Sequence, residues 1–151
     1  MSLMFHFVVI IRDRENPHRQ AAIACLVAGV YGLEKDRNHR GGQLSLSEVD
    51  TDTAMWWTHF HYELVDTLLH QSKSGRRTIF GAVYRTKLGH APISPATIVI
   101  AFRGTMMRRA DWEANLIMYL GRLEFHPRFR EGLNAVERAV EEVGWERVCV
   151  T

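Results

Sequence analysis

Scarcity sets the first limits on this chain. Two cysteines, Cys25 and Cys149, are present in 151 residues. Both sit inside apolar patterns without metal-ligand spacing, so buried reduced thiols are expected in place of a disulfide framework, in an intracellular, cytoplasmic setting. Charge of one sign is equally scarce. A formal net charge of +2, spread over scattered Lys and Arg, lacks the concentrated basic footprint of a nucleic-acid binder, and no nucleic-acid partner is expected. The pairs Arg76-Arg77 and Arg108-Arg109 read as solvated caps. The apolar run over residues 5–11 is too short to span a bilayer and has neither a basic leader nor a small-residue cleavage site, so neither a transmembrane segment nor a targeting signal is expected. Internal repeats and low-complexity tracts are absent.

What is present describes one globular domain. With 46% hydrophobic and 24% charged residues, the chain is long enough to bury a single core. Residues 1–17 form an N-terminal extension of unclear structure, with a polar linker over 12–19 that holds Pro17, and residues 18–151 form the body. A helix is predicted over 18–37, because Ile23, Leu26, Val30 and Leu33 recur at helical spacing while Glu34, Lys35, Asp36 and Arg37 close the pattern in water. The segment 38–48, with Gly41-Gly42, reads as a surface loop. Asp52 or Thr53 then caps a second helix whose stripe is Trp57, Phe60, His61, Leu64, Val65 and Leu68, flanked by Trp56.

Thr78 to Thr86 switches to strand-forming residues around Gly81, a position suited to close approach by another backbone. After a loop with Pro92 and Pro95, the stretch 97–102 is apolar at nearly every position, as in a strand covered on both faces. Asp111 caps a short helix carrying Trp112, Leu116, Tyr119, Leu120 and Leu123. Phe129, Leu133, Val136, Val140 and Val143 mark a longer helix ending at Gly144, and residues 147–151 begin another strand. Helices, a strand hairpin, helices and a final strand together indicate an α/β architecture.

The strand Ile98-Val99-Ile100-Ala101-Phe102 running into Arg103-Gly104-Thr105 is the most informative element. With Trp112-Glu113-Ala114-Asn115-Leu116 and Phe125-His126-Pro127-Arg128-Phe129, it resembles the fungal-lipase-like, or class 3, triacylglycerol lipase family. Residues 18–31, Trp56-Trp57 and Thr78-Ile79-Phe80-Gly81-Ala82-Val83-Tyr84 resemble its plant branch. The resemblance implies an α/β-hydrolase fold, a mostly parallel sheet flanked by helices, acting on an acyl ester or lipid. It also implies that Thr105 lends its backbone N–H and hydroxyl to the oxyanion formed at the ester carbonyl, with Asn115 as the brace of that hydroxyl. The family carries Asp at the bracing position. An Asn accepts the same hydrogen bond without charge, so the orienting contact is roughly half as strong.

The nucleophile elbow Gly-x-Ser-x-Gly of that fold does not occur in the 151 residues. The expected fold is therefore an incomplete α/β-hydrolase, and the expected protein an N-terminal portion of an ester or lipid hydrolase, inactive as it stands. None of Ser2, Ser45, Ser47, Ser72, Ser74 or Ser94 sits on a strand-turn-helix element that would expose a nucleophile. His59 and His61, two apart on a helix, face different directions and lack a third ligand, so no metal or cofactor is expected, with His61 in core contact and His59 in solvent. His126 is expected to make a loop hydrogen bond without a catalytic role. Met106, Met107 and Trp112 are read as lining an acyl-binding mouth or as ordinary packing. The alternative to a hydrolase portion is a non-catalytic remnant that binds a protein partner or an apolar ligand.

Overall fold

Helix α1 begins where its first turn finds a cap. In the computed structural model, which describes residues 16–43, 45–72, 75–90, 96–104 and 126–151, α1 runs Pro17–His39. The Asn16 side chain accepts from the N–H groups of His18 and Arg19 at 3.1 and 3.2 Å. Pro17, part of the expected linker, is instead the first helical residue, a position that needs no N–H donor.

A one-turn 3-10 segment at Leu46–Glu48 and a short helix α2 at Thr51–Thr58 follow. Here the sequence expectation fails. The residues read as the rest of a second helix form strand β1, Tyr62–Gln71. His61 ends the helical path with a left-handed φ of 59°, and its carbonyl accepts from Lys87 N at 2.8 Å. It is solvent-exposed and stacks on His90 with ring centroids 4.1 Å apart, so the expected core contact for His61 is not formed. Pairing with the next strand satisfies the backbone of β1, and that long-range hydrogen bonding overrides an apolar spacing compatible with either element.

Strands β2 (Arg77–Thr86), β3 (Ile98–Phe102) and β4 (Val148–Val150), together with helix α3 (Pro127–Val143), complete the described architecture. The sheet order is β1-β2-β3-β4. β1–β2 and β2–β3 are antiparallel and β3–β4 is parallel, so the sheet is mixed, contrary to the mostly parallel sheet expected. The odd strand is β2, which runs against both its neighbours because short connections join it to β1 and to β3, whereas the parallel pair needs the long crossover that contains α3.

Phe80 is an extra residue in the hairpin, since Leu68 lies opposite Gly81 and Leu69 opposite Ile79. This β-bulge reverses the alternation of side chains. Ile79 and Ala82 consequently reach one core cluster and Phe80 and Val83 the other. The first cluster packs Leu26, Val30 and Leu33 of α1 with Trp57, Tyr62 and Tyr84, and the second packs Ala135 and Ala139 of α3 with Leu68, Phe80, Ile98 and Ile100. Gly81 meets the close approach its type predicts, because a Cβ there would lie 2.9 Å from Phe102 and 3.1 Å from the Ala101 carbonyl.

The charged end of α1 is a second correction. Glu34, Asp36 and Arg37 are buried, not solvated. Cys25 and Cys149 are free and half-buried, and burial pushes the Cys149 thiol above its ordinary value of 9.0.

Candidate functional site

The candidate site is built at the carboxyl end of β3. Four of its five residues, Ile98 to Ala101, are buried because α1 covers the face that carries Val99 and Ala101 and α3 the face that carries Ile98 and Ile100, and this explains its run of apolar side chains. At the exit, Phe102 N donates to Thr151 O at 2.7 Å and Arg103 N to Phe80 O at 3.0 Å. The buried Arg103 guanidinium adds a third tie, donating from Nε to Ile79 O at 2.6 Å. The bulge therefore presents two successive carbonyls to one residue, and Arg103 binds both.

A carboxylate holds the other side of the same peptide segment. Glu34, 1% exposed, accepts from Ile79 N at 2.8 Å. It also accepts from Arg37 Nε and Nη2 at 3.0 and 3.1 Å. Ile79 is thus bracketed by an anion at its N–H and a cation at its carbonyl, and the chain of contacts runs from Arg37 through Glu34 and β2 to Arg103. Charge-assisted bonds in such a dry setting fix backbone position more firmly than neutral ones.

Beyond Arg103 the chain opens to solvent at Gly104. A Cβ on Gly104 would stand 3.2 Å from the Tyr31 hydroxyl, so a side chain here would crowd the phenol that α1 sets beside the strand end. The chain re-enters the described structure at His126, which is buried and caps α3, its Nδ1 accepting from Arg128 N at 3.2 Å. Its ring lies 5.9 Å from that of His70 on β1. Arg128 stands over the Phe80 ring at 5.9 Å, and Phe80 stacks on Phe102 with centroids 6.1 Å apart. The hydrogen-bonding position expected of His126 is a helix cap.

Thr105 and Asn115, with Met106, Met107 and Trp112 and the helix expected after Asp111, lie outside the described residues. None of the serines weighed as nucleophiles that lies among the described residues, Ser45, Ser47 and Ser72, is on a strand-to-helix turn. Among the described residues no group of three or more His, Cys, Asp or Glu side chains is placed to hold a metal ion, and no helix is long and apolar enough to cross a membrane.

Sequence reasoning missed three residues that shape this end of the sheet: Tyr31, Glu34 and Arg37. A signal for Arg37 was present. Steps of four, three and four lead from Leu26 to Val30, Leu33 and Arg37, so Arg37 continues the apolar stripe and faces the core. A buried cation requires a partner, and Glu34 one turn earlier is within reach.

A GDSL esterase/lipase from Arabidopsis thaliana is similar to this chain, with 30% identity over 145 residues, covering 87% of the chain and 39% of the relative. The chain thus spans about two fifths of the length of the curated relative it matches. No family model matches it, and no solved structure does.

Proposed function

We propose that the chain is the oxyanion-bearing portion of a carboxylic-ester or lipid hydrolase of the class 3, α/β-hydrolase type. Thr105 is the oxyanion donor and Asn115 orients its hydroxyl. The observation that carries the reading is the end of β3, where Arg103 and Glu34 fix the backbone of β2 on either side of Ile79 and the strand leaves through an exposed glycine beside the Tyr31 hydroxyl. Preorganised donors act on a developing oxyanion only if the backbone that carries them cannot relax. The similarity to an Arabidopsis esterase/lipase supports the same substrate class.

Because the 151 residues hold no Gly-x-Ser-x-Gly, the chain by itself is proposed not to turn over esters. Loss of a catalytic nucleophile costs on the order of 10⁶ in rate, far more than one oxyanion donor contributes.

Two assays test this. The purified chain is expected to hydrolyse a short-chain nitrophenyl ester no faster than buffer, and turnover that survives Thr105→Ala would remove both the assignment and the inactivity. Transfer of residues 98–116 into the full-length Arabidopsis relative is expected to retain its esterase turnover. Thr105→Ala in that chimaera should then lower kcat on the order of 10²-fold; an unchanged kcat would sink the oxyanion role.

A further inference from the structure

A cleft of about 400 Å³ opens between the last turn of α1 and the β1–β2 hairpin. Arg37, Asn38, Gly42, Arg76 and Arg77 are among its walls, and none of its described lining side chains is acidic. Arg76 and Arg77 are solvent-exposed, and neither makes an ion pair among the described residues.

Arg37 is different in kind. It is 4% exposed and its guanidinium is pinned, with Nε and Nη2 on Glu34, Nη2 also on Asn38 Oδ1, and Nη1 on the Gly42 carbonyl. Those contacts use four of the five N–H bonds that a guanidinium carries, leaving one on Nη1. Glu34 cancels the charge of Arg37, so the excess positive charge of the cleft comes from Arg76 and Arg77. Asp36, the next carboxylate on α1, is held by Arg40 Nε and Asp50 N and does not neutralise them.

A buried, pinned guanidinium and two exposed ones along the same walls suit a compact anion with several oxygens. Arginine forks match phosphate geometry in pairs of N–H···O bonds. The volume exceeds what a bare phosphate fills and falls within the range of small-ligand sites. We propose that this cleft binds a phosphate group, with Arg76 and Arg77 closing on its oxygens and Arg37 and Asn38 fixing its seat. The proposal stands without the hydrolase reading, since it requires no turnover.

The test uses the 151-residue chain at constant ionic strength. Inorganic phosphate is titrated while the amide resonances of Gly41, Gly42 and Gly75 are followed. In parallel, sedimentation is measured with phosphatidylcholine vesicles with and without phosphatidic acid. A saturable phosphate response that the double variant R76Q/R77Q weakens on the order of tenfold supports the proposal. The exposed control R138Q should change nothing, and all variants should melt with the parent chain. Capture on phosphatidic-acid vesicles, lost in R76Q/R77Q, identifies the source as a lipid headgroup. A response to inorganic phosphate without capture identifies a soluble phosphate ester. Neither a saturable phosphate response nor acid-dependent capture, or responses that R76Q/R77Q leaves intact, would overturn the proposal.

Discussion

The two faces of the sheet are covered by helices that reach close packing in different ways. On the α1 face the contact is made by glycine and by polar groups: Gly29 lies against Tyr84, whose hydroxyl donates to Leu26 O at 3.0 Å, and the Glu34–Arg37 pair binds the backbone of β2. On the α3 face the contact is small side chain against aromatic ring, with Gly132, Ala135 and Ala139 over Phe80 and Phe102. Apolar packing is non-directional and tolerates adjustment, whereas buried hydrogen bonds and ion pairs are all-or-none. The face bearing the ion pair is the one that positions Tyr31 and holds β2 against Arg103. That arrangement places rigidity beside the candidate site.

The largest test of this contrast removes the carboxylate. Glu34→Ala leaves the Arg37 guanidinium buried without its counter-ion, and the expected loss in a denaturant titration is about 3–5 kcal/mol. A loss under 1 kcal/mol would mean that water reaches the pair and that the α1 face is no stiffer than the other.

A matched pair of glycine substitutions separates the two faces further. A Cβ on Gly29 would meet Tyr84 Oη at 2.8 Å and Trp57 Cε3 at 3.1 Å, both on rings locked in the core. The expected effect of Gly29→Ala is a destabilisation of roughly 1–3 kcal/mol, larger than the helix-propensity gain of about 1 kcal/mol. A Cβ on Gly132 would meet Phe102 Cζ at 3.0 Å, and Phe102 is only half-buried, so its ring has more room to give than the rings at Gly29. Gly132→Ala should therefore melt close to the parent. Equal losses at the two positions would erase the proposed difference between the faces.

The smallest effect is one of pH. Burial holds the Tyr62 phenol and the Cys149 thiol above their ordinary values of 10.0 and 9.0. The folded chain then keeps protons that the unfolded chain releases, so this contribution is full below about pH 9 and is lost as pH climbs through the raised values. Cys149→Ala should flatten the onset of the alkaline decline in melting temperature; an unaltered decline would assign it to other groups.

Some parts of the molecule are legible in the sequence and others are not. Helix α3 is one-sided, so Phe129, Leu133, Val136, Val140 and Val143 announce it, and β3 is apolar throughout because α1 and α3 cover its two faces. β1 was hidden because Trp57, Phe60, Leu64 and Leu68 are spaced as on a helix while the hairpin ladder to β2, which that spacing does not reveal, decides the outcome. At the candidate site, the strand into Arg103-Gly104 was readable. The part played by Tyr31 was not, because it depends on where α1 crosses the sheet.

Local sequence determined where α1 and α3 begin and where α3 ends, since the Asn16 and His126 caps and Gly144 act on their own turns, and it marked β3 as an interior strand. Only tertiary structure decided that the sheet is mixed, that Phe80 forms a bulge, and that Glu34 and Arg37 turn inward to hold it. The physical reason is that capping and periodicity are satisfied within a few residues, whereas strand pairing and the burial of charge depend on partners supplied from elsewhere in the chain.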